Sequence, residues 1–292
     1  MRYDIVMIGH ISQDIMIDHL EKRMDLVGGA VVYSSFSAAA TGAKVKVVTK
    51  LSEADTHILE PLKRENIKWE VCPSKASTSI KNIYYTADKE RRDVFLISQA
   101  DPFTLEEVLG DETRIFHLAG LFGGEVPDTL IKPLSEKAEV AMDAQGVLRC
   151  LDEEGNLAFR DWERKKELLP YIKYFKTDAA EAEILTGLSN REEAAKLLNK
   201  WGSDEVMLTH NTEVMVCSQG EIYTAPYTHK TNEGRTGRGD TTFAAYLAWR
   251  KEHSAKEATA YAAALCSMKM EVPGPFKGSV ADVLKRMEED AR

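Results

Sequence analysis

The sequence is poor in the features that tie a chain to metal, membrane or nucleic acid. Its four cysteines, Cys72, Cys150, Cys217 and Cys266, lie far apart and form no C-x-x-C pair, so neither a zinc site nor a disulfide framework is expected. No apolar run approaches the length that crosses a bilayer, and Met1 leads straight into strand-like sequence without the charged and apolar regions of a secretory leader. A cytoplasmic protein with no membrane contact is the expectation. Basic residues are outnumbered, 38 Lys and Arg against 47 Asp and Glu, for a net charge of -9. Nucleic acids are held by clustered Lys and Arg, so no nucleic-acid partner is expected and any bound anion must be gripped by a local site. Familiar catalytic spellings are missing too. None of the seven histidines belongs to an H-E-x-x-H pattern, no G-x-S-x-G elbow occurs, and no glycine-rich stretch ends in the G-K-[ST] of a Walker loop.

What is present is an ordinary globular composition, 43% hydrophobic and 29% charged over 292 residues, enough to build one large core. Residues 3–9 (YDIVMIG) read as a buried strand ending on glycine. A helix of small residues over 30–41, closed by Gly42, leads to the strand 44–49 (KVKVVT). Residues 52–66 carry a helical period through Ile58, Leu59 and Leu62, and 67–72 return to strand. Residues 78–98 break the rhythm, because two β-rich runs, SIKNIYYT and DVFLIS, flank a charged turn and read as a hairpin. Two short β segments are not stable alone, so the hairpin is expected to join the polar excursion before Asp25 in a lid made of residues 10–27 and 76–100.

Alternation then resumes, with strands at 114–118 (RIFHL), 139–143 (EVAMD), 171–175 and 205–209 (EVMLT), and helices at 128–137, from 178, and at 190–201. An antiparallel pair, 214–217 with 222–225, precedes a long helix beginning near Thr241. His117, inside RIFHL, reads as a hydrogen-bonded core histidine. The expected fold is a single α/β domain over 1–292: a doubly wound, mostly parallel sheet flanked by helices, with a small β lid.

The stretch most suited to chemistry is 234–243, GRTGRGDTTF, which runs into a helix with an apolar stripe of Phe243, Tyr246 and Leu247. Three glycines, Gly234, Gly237 and Gly239, precede that helix, where free N–H groups and the dipole favour an anion. A carboxylate at such a place repels phosphate oxygens, unless its task is to take a proton from an attacking hydroxyl. Asp240 is therefore the candidate base. On these residues alone a flexible glycine turn with Asp240 as an ordinary helix cap remains open.

G-x-G-D opening a late helix, here Gly237, Arg238, Gly239 and Asp240, resembles the signature of the PfkB/ribokinase family of carbohydrate kinases. The likeness extends along the chain. Gly28-Gly29 before a small-residue helix is similar to the family's glycine pair near the acceptor, and Asp14 stands where the family binds substrate hydroxyls. Asp178-x-x-Glu181 looks like its N-x-x-E region, associated with magnesium and phosphate, and Thr209 matches a position on the nucleotide side. Asp178 with Glu181 also spells a capping box, as do Thr104 with Glu107 and Ser254 with Glu257. The chain departs from the pattern at Arg238, at Tyr33 in place of a common Asn, at Asp178 in place of Asn, and at His210-Asn211 where glycine is frequent.

The resemblance implies a kinase that moves the γ-phosphate of ATP to a hydroxyl of a sugar or polyol such as an inositol. Asp240 would be its base, and the amides of Gly237, Arg238 and Gly239 its anion hole. Asp14, Gly28, Gly29 and Tyr33 would meet the acceptor, while Thr209, Asp178 and Glu181 would face the nucleotide, with Glu181 reaching Mg2+ through water. It leaves open a monovalent-cation requirement. The alternatives are a nucleoside kinase on the same fold and a non-catalytic nucleotide or sugar binder. Unpaired lid edges suggest a homodimer through the lid.

Overall fold

Apolar alternation along the first strand sets the architecture. In β1 (Tyr3–Ile8), Ile5 and Met7 belong to one hydrophobic core and Val6 and Ile8 to another, and all four are buried. A strand buried on both faces needs helices over each. The computed structural model, which describes residues 2–86 and 92–291, supplies them. Helices Ala30–Ala40, Arg238–Trp249 and Ala255–Met270 pack on one face, and Ile131–Ser135, Ala179–Thr186 and Arg191–Lys200 on the other.

The sheet they enclose has nine strands. β4 (Val45–Leu51) and β5 (Ile67–Pro73) lie on one side of β1; β8 (Thr113–Leu118), β9 (Glu139–Asp143), β12 (Tyr174–Asp178) and β13 (Glu205–Thr209) lie on the other. All of these are parallel. An antiparallel pair, β14 (Glu213–Ser218) and β15 (Glu221–Pro226), completes the edge beyond β13. β10 (Arg149–Leu151) and β11 (Leu157–Phe159) form a small separate hairpin.

A second sheet of four strands has the order β3–β2–β6–β7, made of β2 (Ser12–Ile17), β3 (Arg23–Gly28), β6 (Thr78–Tyr84) and β7 (Arg92–Ser98). β2 and β6 pair in parallel, so two distant excursions are knitted into one unit. The charged turn expected between β6 and β7 falls on residues 87–91, outside those described. This sheet is rooted in the body through His10. Its ring meets Thr78 Oγ1 at 2.9 Å and the Asp101 carbonyl at 3.1 Å, while its N–H donates to the buried carboxylate of Glu125 at 2.6 Å. Glu125 also accepts from the Leu121 amide, which ties the loops after β1 and β8 together.

Three segments differ from the sequence reading. The helix expected over 52–66 is a 3-10 helix, Glu53–Leu62, because Pro61 within it lacks an N–H and opposes the α spiral. The helix expected over 128–137 is a 3-10 turn, Asp128–Leu130, followed by the short α-helix Ile131–Ser135. The strand expected at 171–175 begins three residues later, since Leu169–Tyr171 forms a 3-10 turn around Pro170. His117 is buried as expected, but its Nδ1 has no partner among the described residues, and its ring meets Phe243 edge-on at 5.1 Å. Burial pushes this imidazole down to about 3, so it packs as a neutral ring. No helix among the described residues is long and apolar enough to cross a membrane.

Candidate active site

The carboxyl ends of parallel strands leave a crevice where the connecting loops diverge. The four-stranded sheet faces that crevice and encloses a cleft of about 450 Å³. Its body side is lined by residues at or just past β8, β9, β12 and β13, namely Leu121, Gln145, Lys176, Asp178, Thr209 and Asn211, together with 235–240. Its other side is lined by Ser12, Asp14, Met16 and Leu26 from β2 and β3, and by Ile80, Asn82, Tyr84 and Val94 from β6 and β7.

At the centre is the start of the Arg238–Trp249 helix. Its N-cap, Gly237, has φ 78°, a left-handed conformation that glycine adopts without strain. A Cβ there would lie 2.2 Å from the Tyr33 ring, so the turn can rest on that ring only because the residue is glycine. The first N–H groups of a helix have no partner within it. Among the described residues, those of Gly237, Gly239 and Asp240 make no other backbone bond, whereas the Arg238 amide turns back to the Arg235 carbonyl at 3.3 Å. Three amides thus face the cleft, with that of Asp240 in place of the expected Arg238.

Asp240 lines the cleft in the helix's first turn, half-buried. Desolvation raises its pKa; Lys176 opposes the rise, Asp143 adds to it, and Arg149 and Lys269 oppose it. Beneath it Lys176, in the middle of β12, is buried and paired with buried Asp143 at 2.8 Å. Burial works against the Lys176 charge, but Asp143, Glu181 and Asp240 outweigh it, so the ammonium stays protonated across the working pH range. A Cβ on Gly239 would stand 2.9 Å from that ammonium and 4.0 Å from the Thr209 hydroxyl, which explains glycine at this second position. Arg149, Arg235 and Arg238 bring further guanidinium groups to the same end, and Arg238 donates to Asn211 Oδ1 at 3.0 Å.

Of the remaining expected residues, Asp14 accepts from Ser12 Oγ at 2.7 Å and faces the cleft from β2. Gly28 lies where a Cβ would overlap the Asp14 carboxylate at 2.3 Å, and Gly29, with φ 104°, opens the Ala30–Ala40 helix. Tyr33 lines the cleft close to both Asp14 and Asp240; burial first, then those two carboxylates, pushes its hydroxyl up. Thr209 and Asp178, opposite each other at the ends of β13 and β12, also line it. Asp178 and Glu181 form the full capping box: Asp178 Oδ1 accepts from the Glu181 amide at 2.8 Å, and Glu181 Oε2 from the Asp178 amide at 2.9 Å. Glu181 is not among the lining residues. It is buried behind Asp178, with its pKa raised by desolvation and only partly restored by Lys176.

Sequence reasoning missed Lys176, Asp143, Arg149, Arg235 and Asn82. Lys176 is the middle residue of β12, two before the Asp178 cap, and reads there as one polar position in a strand. Asn82 offers no more signal, since it reads as one polar position in an alternating hairpin strand. Replacing Gly237 tests the cradle. Gly237→Ala is expected to lower stability by about 1–3 kcal/mol, because a side chain must enter the left-handed region and push Tyr33 away. It should also weaken the binding of inorganic phosphate in calorimetry at least about tenfold. Unaltered binding would detach the cradle from the anion.

Comparison with known proteins identifies the family and the fold. Residues 6–279 match the model of the pfkB family carbohydrate kinases. A curated cytidine kinase of Thermococcus kodakarensis is 26% identical over 256 residues, covering 84% of this chain and 87% of that protein. A sulfate complex of a pyrophosphate-dependent kinase in the ribokinase family is 36% identical, with a TM-score of 0.89 over 97% of this chain and 99% of that one. A pyrophosphate-dependent kinase of the same family, complexed with a pyrophosphate analog and myo-inositol, is 35% identical, with a TM-score of 0.87 over 99% of this chain and 100% of that one. With its ribokinase-like fold and a family match over nearly its whole length, the chain belongs to the pfkB family of carbohydrate kinases.

Proposed function

We propose that the protein transfers a phosphoryl group from pyrophosphate to a hydroxyl of a polyol such as an inositol, with Asp240 as the base. The observation that carries this reading is the position of Asp240, open to the cleft between two chemically unlike ends. One end gathers Lys176, Arg149, Arg235 and Arg238 around three free amides, which suits a compact polyanion. The other offers Asp14 and Asn82 with the apolar side chains of Met16, Ile80 and Val94, which suits a small molecule carrying hydroxyls. The sequence pointed to ATP. The two structures of pyrophosphate-dependent kinase, at 36% and 35% identity over nearly the whole chain, favour pyrophosphate instead.

In this reading the acceptor hydroxyl lies between Asp14 and Asp240. Asp240 takes its proton as the oxygen attacks phosphorus, the bridging P–O bond breaks, and orthophosphate leaves. The amides of Gly237, Gly239 and Asp240, with Lys176 beneath, stabilise charge on the transferring oxygens. Among the described residues no group of three or more His, Cys, Asp or Glu forms a cage for a metal. That fits magnesium held mainly by donor phosphates and water, with Asp178 as the lining carboxylate. When bound, the ion would neutralise phosphate charge.

A nucleoside acceptor is the second reading, favoured by the cytidine kinase relative. It needs a free aromatic face, and the Tyr33 ring is already covered by Gly237 and by the Lys269 ammonium 4.8 Å from its centre. Tyr85 points outward and donates to Asp93, which leaves Tyr84 as the lid tyrosine lining the cleft.

Turnover assayed with pyrophosphate or ATP against inositols, sugars and nucleosides should be highest with pyrophosphate and an inositol. ATP-only turnover would overturn the donor, nucleoside-only turnover the acceptor, and binding without turnover the kinase. Asp240→Asn should lose about 10²- to 10⁴-fold in kcat while retaining pyrophosphate affinity. Because the base works only when ionised and its pKa is raised, kcat/KM should fall with decreasing pH on a limb above the ordinary aspartate pKa of about 4. Near-normal turnover of Asp240→Asn removes Asp240 from the role. A homodimer that pairs the lids and covers exposed Leu26 and Ile97 is also part of this proposal; a monomer in light scattering at working concentration rejects it.

A further inference from the structure

Lys269 is a buried cation for which the proposed reaction has no direct use. It lies one residue before the end of the Ala255–Met270 helix, 1% exposed, and its ammonium donates to the backbone carbonyls of Gly234 and Thr236. Both carbonyls belong to the loop that delivers the chain to Gly237. The loop is pressed against the helix end: the Gly234 amide donates to the Met270 carbonyl at 2.8 Å, and a Cβ on Gly234 would lie 2.1 Å from the Val272 oxygen.

The orientation has a consequence for the cradle. A trans peptide is planar, and its C=O and N–H point in opposite directions. The carbonyl of Thr236 shares a peptide unit with the amide of Gly237. Holding that carbonyl on Lys269 therefore turns the Gly237 N–H the other way, toward the cleft that Gly237 lines. A monovalent cation seated on the same two carbonyls would do the same, and an ammonium group is close to a potassium ion in size. We propose that Lys269 is a positioning residue acting as a tethered monovalent cation, aiming the Gly237 amide at the transferred phosphate and making the enzyme independent of alkali-metal ions. Burial lowers the pKa of this lysine to about 8, with Cys266 and Asp240 opposing; its ammonium is held by carbonyl dipoles.

The inference rests on the proposed reaction for its kinetic readout, so the test carries a binding readout as well. Lys269→Ala leaves room for an ion, whereas Lys269→Met fills the space without charge. In tetramethylammonium chloride, pyrophosphate-dependent kcat of Lys269→Ala should fall at least about tenfold, and saturating potassium or ammonium should restore most of it. Lys269→Met should show the loss without the rescue, and the wild-type chain should be indifferent to potassium. Calorimetric affinity for pyrophosphate should follow the same pattern. If the wild-type chain phosphorylates no acceptor, the reaction is wrong, yet the ion dependence of pyrophosphate binding still decides the role of Lys269. A folded Lys269→Ala that no ion rescues, or one as active as wild type without ions, overturns the proposal, as does a wild-type chain that itself needs potassium. Should Lys269→Ala fail to fold, Lys269→Met decides: unchanged pyrophosphate affinity in the absence of alkali ions overturns the role, and a loss of about tenfold supports it.

Discussion

The Asp240 carboxylate shares one helical turn with the free amides proposed to hold phosphate, and left alone the two anions would repel each other. At a separation near 4 Å, two like charges at a protein surface cost about 4 kcal/mol. The fold answers with cations whose positions are fixed by burial. Lys176 lies under Gly239, locked to Asp143, and Lys269 grips the loop before Gly237. Neither can swing away, because each ammonium is enclosed and hydrogen-bonded. The glycines follow from the same constraint. Gly237 must lie flat on Tyr33 and Gly239 must clear Lys176, so the spacing of the motif reflects what stands behind it as much as the anion in front.

The parts of this design that were legible in the sequence are those with a local cause. The buried strand β1, the small-residue helix closed by Gly42 and the three capping boxes are written in adjacent residues, and the structure contains them. The G-x-G-D turn was legible for a similar reason, since glycine before a helix has few other uses. Where local signals competed, the period misled. The three-residue spacing of Leu59 and Leu62 is met by a 3-10 helix as well as by an α-helix, and Pro61 opposes the α form. The cationic support was hidden because it is tertiary. Lys176 reads as one polar position in a strand, and only the approach of Gly239 from a helix late in the chain makes it part of the site. Lys269 reads as an ordinary charge near a helix C-terminus, where the dipole favours one.

The Asp178–Glu181 pair shows why structural and functional readings of a motif need not exclude each other. As a capping box it secures the start of the Ala179–Thr186 helix. The same geometry holds the Asp178 carboxylate at the mouth of β12, beside Thr209 and facing the cleft. A residue fixed by its own helix start is a better ligand-facing group than one on a free loop, because its rotamer is already chosen. Glu181, set behind it, contributes to the site through charge: its carboxylate helps keep Lys176 protonated.

The net charge of -9 raises the remaining question, how an acidic protein would concentrate the proposed pyrophosphate donor. An inorganic donor has no apolar surface to bury, so its affinity must come from charge-assisted hydrogen bonds alone. Such bonds are strong only where water is excluded and the groups are already oriented. Surface lysines would satisfy neither condition. Cations on strands and at a helix start satisfy both, since the sheet and the helix fix their directions before the donor arrives. Surface charge and site charge are thus set independently: the chain is acidic overall, while in the proposed reaction a few buried or half-buried cations would govern recognition.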